Sequence, residues 1–458
     1  MTEATIHLRR ELNLRDLTLL LVVAVVNINT IPLIAAEGWR SISYWIFAFI
    51  FFLIPVAVSV AQFGARYPEE GGIYHWTNKM FGEFHAFLAG WCYWTNNLFY
   101  FPSVLFILVG VALYIGGPSA ANLAENSYWI ATGSLTMLWL ITLLHVRGLS
   151  VGKWLNNIGA AGTWLGLAIV IVLGWIVLRR SGHPATPFRA TTLVPSFMDY
   201  PSLSAFSITI YSLVGLELGS VMGDEIKNTA KIIGKAAFLA GTISILLYVA
   251  GTAALLLSVP ADQVGAIQGF MQAVTIASNQ LHLGPMIPFV AFLFSLAVLG
   301  VCSAWISGAA RIPFVMGVDV YLPPLLAKTH SKWRTPHWAL LIQAIVSSLF
   351  ILISLYGSFV RDAYEFLLKS SVVLQLIPFL YLFLGLWKLK SNRFAAVLGL
   401  LATCFGILFV LIPSANVENK LRFELQIIIS CVLMLGIGFL FYRNGRRKKS
   451  DMLTAMKG

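Results

Sequence analysis

The stretch that decides the fold is AFSITIYSLVGLELGSVMGDEIKNTAKIIGKAAF, Ala205 to Phe238. It opens as an apolar helix long enough to enter a bilayer, then meets Gly215 and, two residues later, a carboxylate, Glu217. It leaves through Gly219 and Gly223 into a charged segment, Asp224 to Lys235. Placing a charge at mid-bilayer costs about 2.5–3.5 kcal/mol on insertion scales. An acid kept there is either functional or sits where the helix is broken and a wet cavity receives it.

On both sides of this stretch, apolar runs of span length recur from Leu17 to Phe441, which is the signature of a polytopic membrane chain. Of the 458 residues, 58% are hydrophobic and 11% charged, against about 25% charged in soluble domains. The runs predict an all-α polytopic membrane protein with twelve transmembrane helices: Leu17–Ala36, Ile42–Phe63, Phe87–Gly116, Tyr128–Leu144, Trp154–Leu178, Leu203–Met222, Ala236–Val259, Met286–Ala310, Trp338–Leu355, Phe366–Leu386, Phe394–Ile412 and Leu425–Phe441. With the N-terminus in the cytoplasm, 23 Lys and Arg fall on the inner side and 7 on the outer, leaving Lys369 inside a span. That bias in short loops predicts both termini cytoplasmic, in a plasma (cell inner) membrane. The net charge of +12 therefore reports topology, and a nucleic-acid partner is not expected.

Cys92, Cys302, Cys404 and Cys431 all lie in apolar segments without CxxC spacing and read as packing thiols. The basic N-terminus runs into the first span with no small-residue cleavage site, so that span is expected to be retained. The tail RRKKSDMLTAMKG reads as an orientation anchor against anionic lipid. The amphipathic loop Pro260–Pro285 is a candidate external lid.

What recurs along the chain is the type of interruption. The first span carries Asn27, Asn29, Thr30 and Pro32; the sixth carries Ser212, Gly215, Glu217 and Gly219. Proline removes a backbone bond, and a glycine–acid pair loosens the helix similarly. Two breaks five spans apart point to an inverted repeat, in which the freed backbone groups line a cavity because they cannot face lipid. Kinked helices of a channel or receptor would leave the same trace.

Three motifs carry a family resemblance. ARYPEEGGIYHWTNKMFGEFHAFLAGW supplies Pro68, Gly71, Gly72, Tyr74, Trp76, Gly82 and Gly90; the opening stretch supplies Gly215, Glu217, Glu225, Lys227 and Asn228; SGAARIPFVMGVDVYLPPLLAKTHSKWRTPHWAL supplies Arg311, Asp319, Pro323, Thr335 and Pro336. Together they resemble the amino acid–polyamine–organocation superfamily. The resemblance implies a leucine-transporter-type 5+5 inverted repeat with two extra C-terminal helices and broken helices 1 and 6. It implies residues 1–16 as a cytoplasmic N-terminus, 17–386 as the transport core (17–178 and 203–386 as its repeats), 387–442 as the added helices and 443–458 as a basic tail. It also implies a secondary active carrier of an amino acid or related amine, working by exchange or proton symport. A non-transporting sensor or channel on the same fold is the alternative. No enzyme activity, cofactor or metal is expected; the partners are the substrate, membrane lipid and, as a candidate coupling ion, the proton.

Two departures from the family pattern matter. Asn29-Thr30-Ile31-Pro32 replaces the usual small-residue segment, so Asn29 and Pro32 are expected to set substrate choice. The superfamily's glutamate/GABA antiporter branch tolerates proline there. The lysine of many proton-coupled fifth helices is absent; Thr163 stands at its place. The expected substrate-binding residues are Asn27, Asn29, Thr30, Ile31, Tyr211, Ser212, Gly215 and, from the third span, Asn96 and Asn97. Glu217 and Lys369 are the proton-coupling or gating candidates. Their bland readings are a structural acceptor tying the broken helix and a lysine snorkelling to the outer interface. His75, His85 and His145 read as interfacial.

Overall fold

The computed structural model describes residues 12–68, 71–195, 200–223, 226–265, 267–356, 359–413 and 419–455. Glu225, one of the motif positions, lies outside these. Among the described residues the chain is helical throughout, and nine helices are long and apolar enough to cross a membrane: Arg40–Arg66, Glu83–Gly116, Ser127–Val146, Trp154–Ser181, Thr229–Ser258, Met286–Val318, His337–Leu355, Val360–Lys388 and Lys420–Asp451. The protein is a multi-pass membrane protein. Arg393–Phe409 is apolar but shorter.

The other two expected spans are split. Asn13 caps the first, its side chain accepting the Asp16 N–H at 3.0 Å while Asp16 returns the bond, and the helix runs from Leu14 to Val25. It restarts only at Thr30–Ala35. Pro32 falls in that new first turn, where a missing N–H costs nothing. The sixth runs from Tyr200 to Ser212, breaks, and resumes as Leu218–Val221.

The pillar of the bundle is Glu83–Ala112, buried without interruption from Ala89 to Val111 by the helices packed around it. Lipid-facing helices differ: Trp154, Trp164, Leu165, Val172 and Trp175 project from Leu149–Ser181. That helix crosses Met286–Ala309 at Gly159 and Gly300, where a Cβ on either would collide with the other's backbone. Small residues permit such close approach in membranes, where no hydrophobic force drives helices together. The four cysteines are free, with Cys404 exposed and the other three buried.

One end of the bundle is stitched shut. The Lys227 N–H donates to the Leu12 carbonyl at 2.9 Å, the Gly71 N–H to the Val221 carbonyl at 3.3 Å, and the Tyr74 hydroxyl to Asp319 at 2.5 Å. Burial first, and the Asp319 carboxylate second, hold the Tyr74 hydroxyl far above its usual pKa, so it remains a donor. The C-terminal helix continues through the basic tail to Ala455 and pairs Lys449 with Glu83, a protein contact for a segment expected to serve as a lipid anchor. The opposite end carries the helix Gly269–Leu281 from the Pro260–Pro285 loop, its Phe270, Met271 and Val274 buried.

Candidate functional site

The two breaks meet. Gly215 has φ +137°, a left-handed conformation that favours glycine, and a Cβ there would lie 3.0 Å from the Ala24 carbonyl carbon. Glycine is needed for the turn and for the contact alike. The freed backbone groups are then claimed by side chains from neighbouring helices. Trp305 Nε1 donates to the Ala24 carbonyl at 3.0 Å. The Tyr248 hydroxyl accepts the Asn27 N–H at 2.9 Å and lies 2.6 Å from the Val25 carbonyl and 2.7 Å from the Ser212 carbonyl. It has one proton for two carbonyls, and because the Val25 carbonyl also receives the Asn27 N–H at 2.8 Å, the Ser212 carbonyl is the one that depends on it. Its ring stacks on Trp45 with centroids 4.0 Å apart, which fixes where the hydroxyl points.

Between the breaks is a cavity of about 10 Å³. Ala24, Val25 and Asn27 line it from the first break, Tyr211, Ser212 and Val214 from the second. Asn96 and Tyr100 on the pillar and Trp305 complete the wall. That space suits about one water, so anything larger requires the wall to move. The lining is mixed, and its polar groups are mutually bonded. Asn27 Nδ2 donates to the Tyr100 hydroxyl at 3.0 Å, Asn96 Nδ2 bonds Gln375 Oε1, and Ser371 Oγ donates to Asn96 Oδ1 at 3.3 Å. Tyr211 closes the chain through its hydroxyl, 2.7 Å from Ser371 Oγ. Asn29 Nδ2, Asn97 Oδ1 and Gln375 Nε2 are buried with no hydrogen-bond partner among the described residues. Each such atom costs about 1–3 kcal/mol unless water or a ligand meets it.

Of the residues predicted from sequence, the structure brings Asn27, Asn96, Tyr211 and Ser212 to this cavity. Asn29, Thr30, Ile31, Asn97 and Gly215 are near but behind the wall. Thr30 Oγ1 donates to the Asn27 carbonyl at 3.0 Å, Ile31 packs toward Gly251, and Asn97 Nδ2 donates to the Tyr93 carbonyl at 2.7 Å. Pro32 also faces away, against Gly269. Glu217 is fully buried and does not line the cavity: Oε2 accepts the Gly215 N–H at 3.0 Å and Oε1 the Tyr93 hydroxyl at 3.1 Å.

Lys369 does not snorkel. Its helix starts at Val360 rather than Phe366, which carries the residue deeper, and it is 2% exposed. Nζ donates to Ser204 Oγ at 3.2 Å and to the Ile412 carbonyl. It lines a separate cavity of about 430 Å³. His145 is likewise buried rather than interfacial, with Nε2 3.0 Å from Ser303 Oγ.

Sequence reasoning missed Tyr248, Tyr100, Tyr93, Trp305 and Gln375. A signal existed: each puts a polar tip inside a long apolar run, where a hydroxyl, indole N–H or amide must find a partner. Which partner is set by the packing.

The class is that of a multi-pass membrane protein whose bundle is interrupted at two adjoining helices, with a small cavity between the breaks. Residues 12–449 match the model of the amino acid permease family, and the chain belongs to that family, within the amino acid–polyamine–organocation superfamily. It is a transporter family and not an enzyme family. Similar proteins include an uncharacterised transporter of Legionella pneumophila, 29% identical over 95% of this chain and 90% of the relative. A probable agmatine/putrescine antiporter of Lactococcus lactis is 23% identical over 90% of each chain. A glutamate/γ-aminobutyrate antiporter of Lactococcus lactis is 22% identical over 94% of this chain and 90% of the relative.

Proposed function

We propose that this permease is a secondary active carrier of an amino acid or related amine, as an exchanger or proton symporter, and that it works by alternating access around the cavity between the two breaks. The observation that carries the reading is the pairing of Asn27 and Ser212 across Tyr248. One hydroxyl serving two carbonyls couples the broken helices, so displacing one alters the bonding of the other. The names of the Lactococcus relatives support substrates of this kind.

We further propose twelve crossings, counting the two split helices and Arg393–Phe409 with the nine long ones, arranged as a five-plus-five inverted repeat with two added helices. The charge bias supports both termini in the cytoplasm, and we place the carrier in a plasma membrane. On that orientation the stitched end is cytoplasmic and the cavity beside Lys369 faces outside. Tyr211 and Ser371 stand one helical turn deeper than Ile208 and Leu368, which line that cavity, so their hydrogen bond bars the way to the central site. Glu217, bound to both Gly215 and Tyr93, is the leading candidate for a proton-sensitive latch on the second break.

The test is thermal unfolding of the detergent-purified chain against amino acids, polyamines and decarboxylation products. A ligand at a hundred times its Kd adds about 2.7 kcal/mol to apparent stability. A hit among amino acids or amines is the expected result. Stabilisation only by compounds that carry neither an amino nor a carboxyl group contradicts it.

A further inference from the structure

The cavity of about 430 Å³ beside Lys369 carries charges that the central site does not use. Glu37, Ser204, Asp262, Arg361, Glu365 and Lys369 stand on its wall. They are not equivalent. Glu365 receives the Arg361 Nε at 3.4 Å, and Glu37 receives the Ser202 hydroxyl at 2.5 Å. Asp262 is exposed at the rim. Lys369 and Glu365 are both buried, but the groups in contact with Lys369 are neutral: a hydroxyl, a carbonyl and the Phe423 ring, 5.7 Å from Nζ. It pairs with no carboxylate within salt-bridge distance among the described residues. An ammonium has three donors, and two are taken.

The carboxylates of Glu365 and Glu424 act on Lys369 through space and not by contact, so one N–H of a buried ammonium is left for a solute. Arg361, Glu365 and Lys369 fall at i, i+4 and i+8, on one helix face directed at the cavity. Two residues beyond Lys369 is Ser371, the partner of Tyr211 in the bar above the central site.

We propose that Lys369 is a carboxylate-recognition point in this cavity, which makes the substrates entering from this side carboxylate-bearing amino acids rather than diamines. The third N–H takes one carboxylate oxygen, and the amino group is left toward Glu37 and Asp262 at the more exposed part of the wall. A diamine offers the buried lysine only repulsion. The substrate assignment deepens the carrier reading given above and rests on it; the anion site at Lys369 is read without transport.

The test uses the full chain in proteoliposomes with Ser204→Cys, which places a thiol beside Nζ. Its reaction with an anionic and with a cationic methanethiosulfonate is timed against a free thiol, with the chain lacking that substitution as the blank for Cys404. The expected result is a preference for the anionic reagent of about tenfold. L-leucine slows it and isoamylamine does not. The preference and the protection disappear in Ser204→Cys/Lys369→Met and persist in Ser204→Cys/Lys369→Arg. Should Ser204→Cys fail to fold, Ala205→Cys on the same wall gives the same readout. Equal rates for the two reagents, equal protection by the amine, or a preference that survives Lys369→Met overturns the proposal. Absent counterflow with the labelling pattern intact defeats the carrier reading and leaves the anion site standing.

Discussion

The two breaks solve one problem in different ways. At the first, bonds within the segment, from Thr30 to the Asn27 carbonyl and from the Asn29 N–H to the Asn27 side chain, are joined by ties from other helices, Trp305 on Ala24 and Tyr248 on Val25 and Asn27. At the second, the segment holds itself: Glu217 reaches back to Gly215 and anchors through Tyr93 to the pillar. The difference teaches which polar residues face a solute. Glu217, the most conspicuous residue in the sequence, ties the second break from behind the cavity, and the polar groups on the wall itself are amides, hydroxyls and an indole.

The largest effect should come from removing the self-supporting tie. Glu217→Ala leaves two buried donors, the Gly215 N–H and the Tyr93 hydroxyl, at about 1–3 kcal/mol each, and should lower the unfolding temperature of purified protein more than any other substitution at either break. Glu217→Gln retains one acceptor and should fold; if the residue is also the proton latch, its uptake rate loses pH dependence. An unchanged pH–rate profile would leave Glu217 purely structural.

Next is the shared tie. Tyr248→Phe retains the stack on Trp45 but strands the Ser212 carbonyl, at about 1–3 kcal/mol. Because the hydroxyl serves both breaks, exchange should slow by more than the same loss of stability elsewhere. Normal exchange in a destabilised Tyr248→Phe would break the link between them. Asn27→Ala touches the wall directly and should raise the KM for uptake by roughly tenfold, the equivalent of about 1.4 kcal/mol, beyond the stability lost with its bonds to the Asn29 N–H and the Tyr100 hydroxyl. Smallest is Pro32→Gly. Pro32 packs on Gly269 away from the cavity, so substrate preference in competition assays should shift less than in Asn27→Ala. A larger shift would return substrate choice to the Asn29–Pro32 segment.

Much of this was legible in the sequence. Pro32 and Gly215 marked both breaks because each imposes a backbone condition that needs no knowledge of neighbours. Apolar runs gave the spans for the same reason. The site was legible only halfway. Asn27, Asn96, Tyr211 and Ser212 were found, but Tyr248 was not, since its role depends on three backbone atoms from segments 36 and 221–223 residues away. The burial of Lys369 was not legible, since its helix begins six residues earlier than hydropathy suggests and its contacts come from Ser204 and Ile412, far along the chain.

The most direct measurement is counterflow. Proteoliposomes holding the purified chain are loaded with the unlabelled ligand found by thermal stabilisation, and entry of the labelled ligand is followed. The account predicts that internal ligand accelerates entry and that Tyr248→Phe blunts the acceleration. Saturable binding with no acceleration by internal ligand would contradict it.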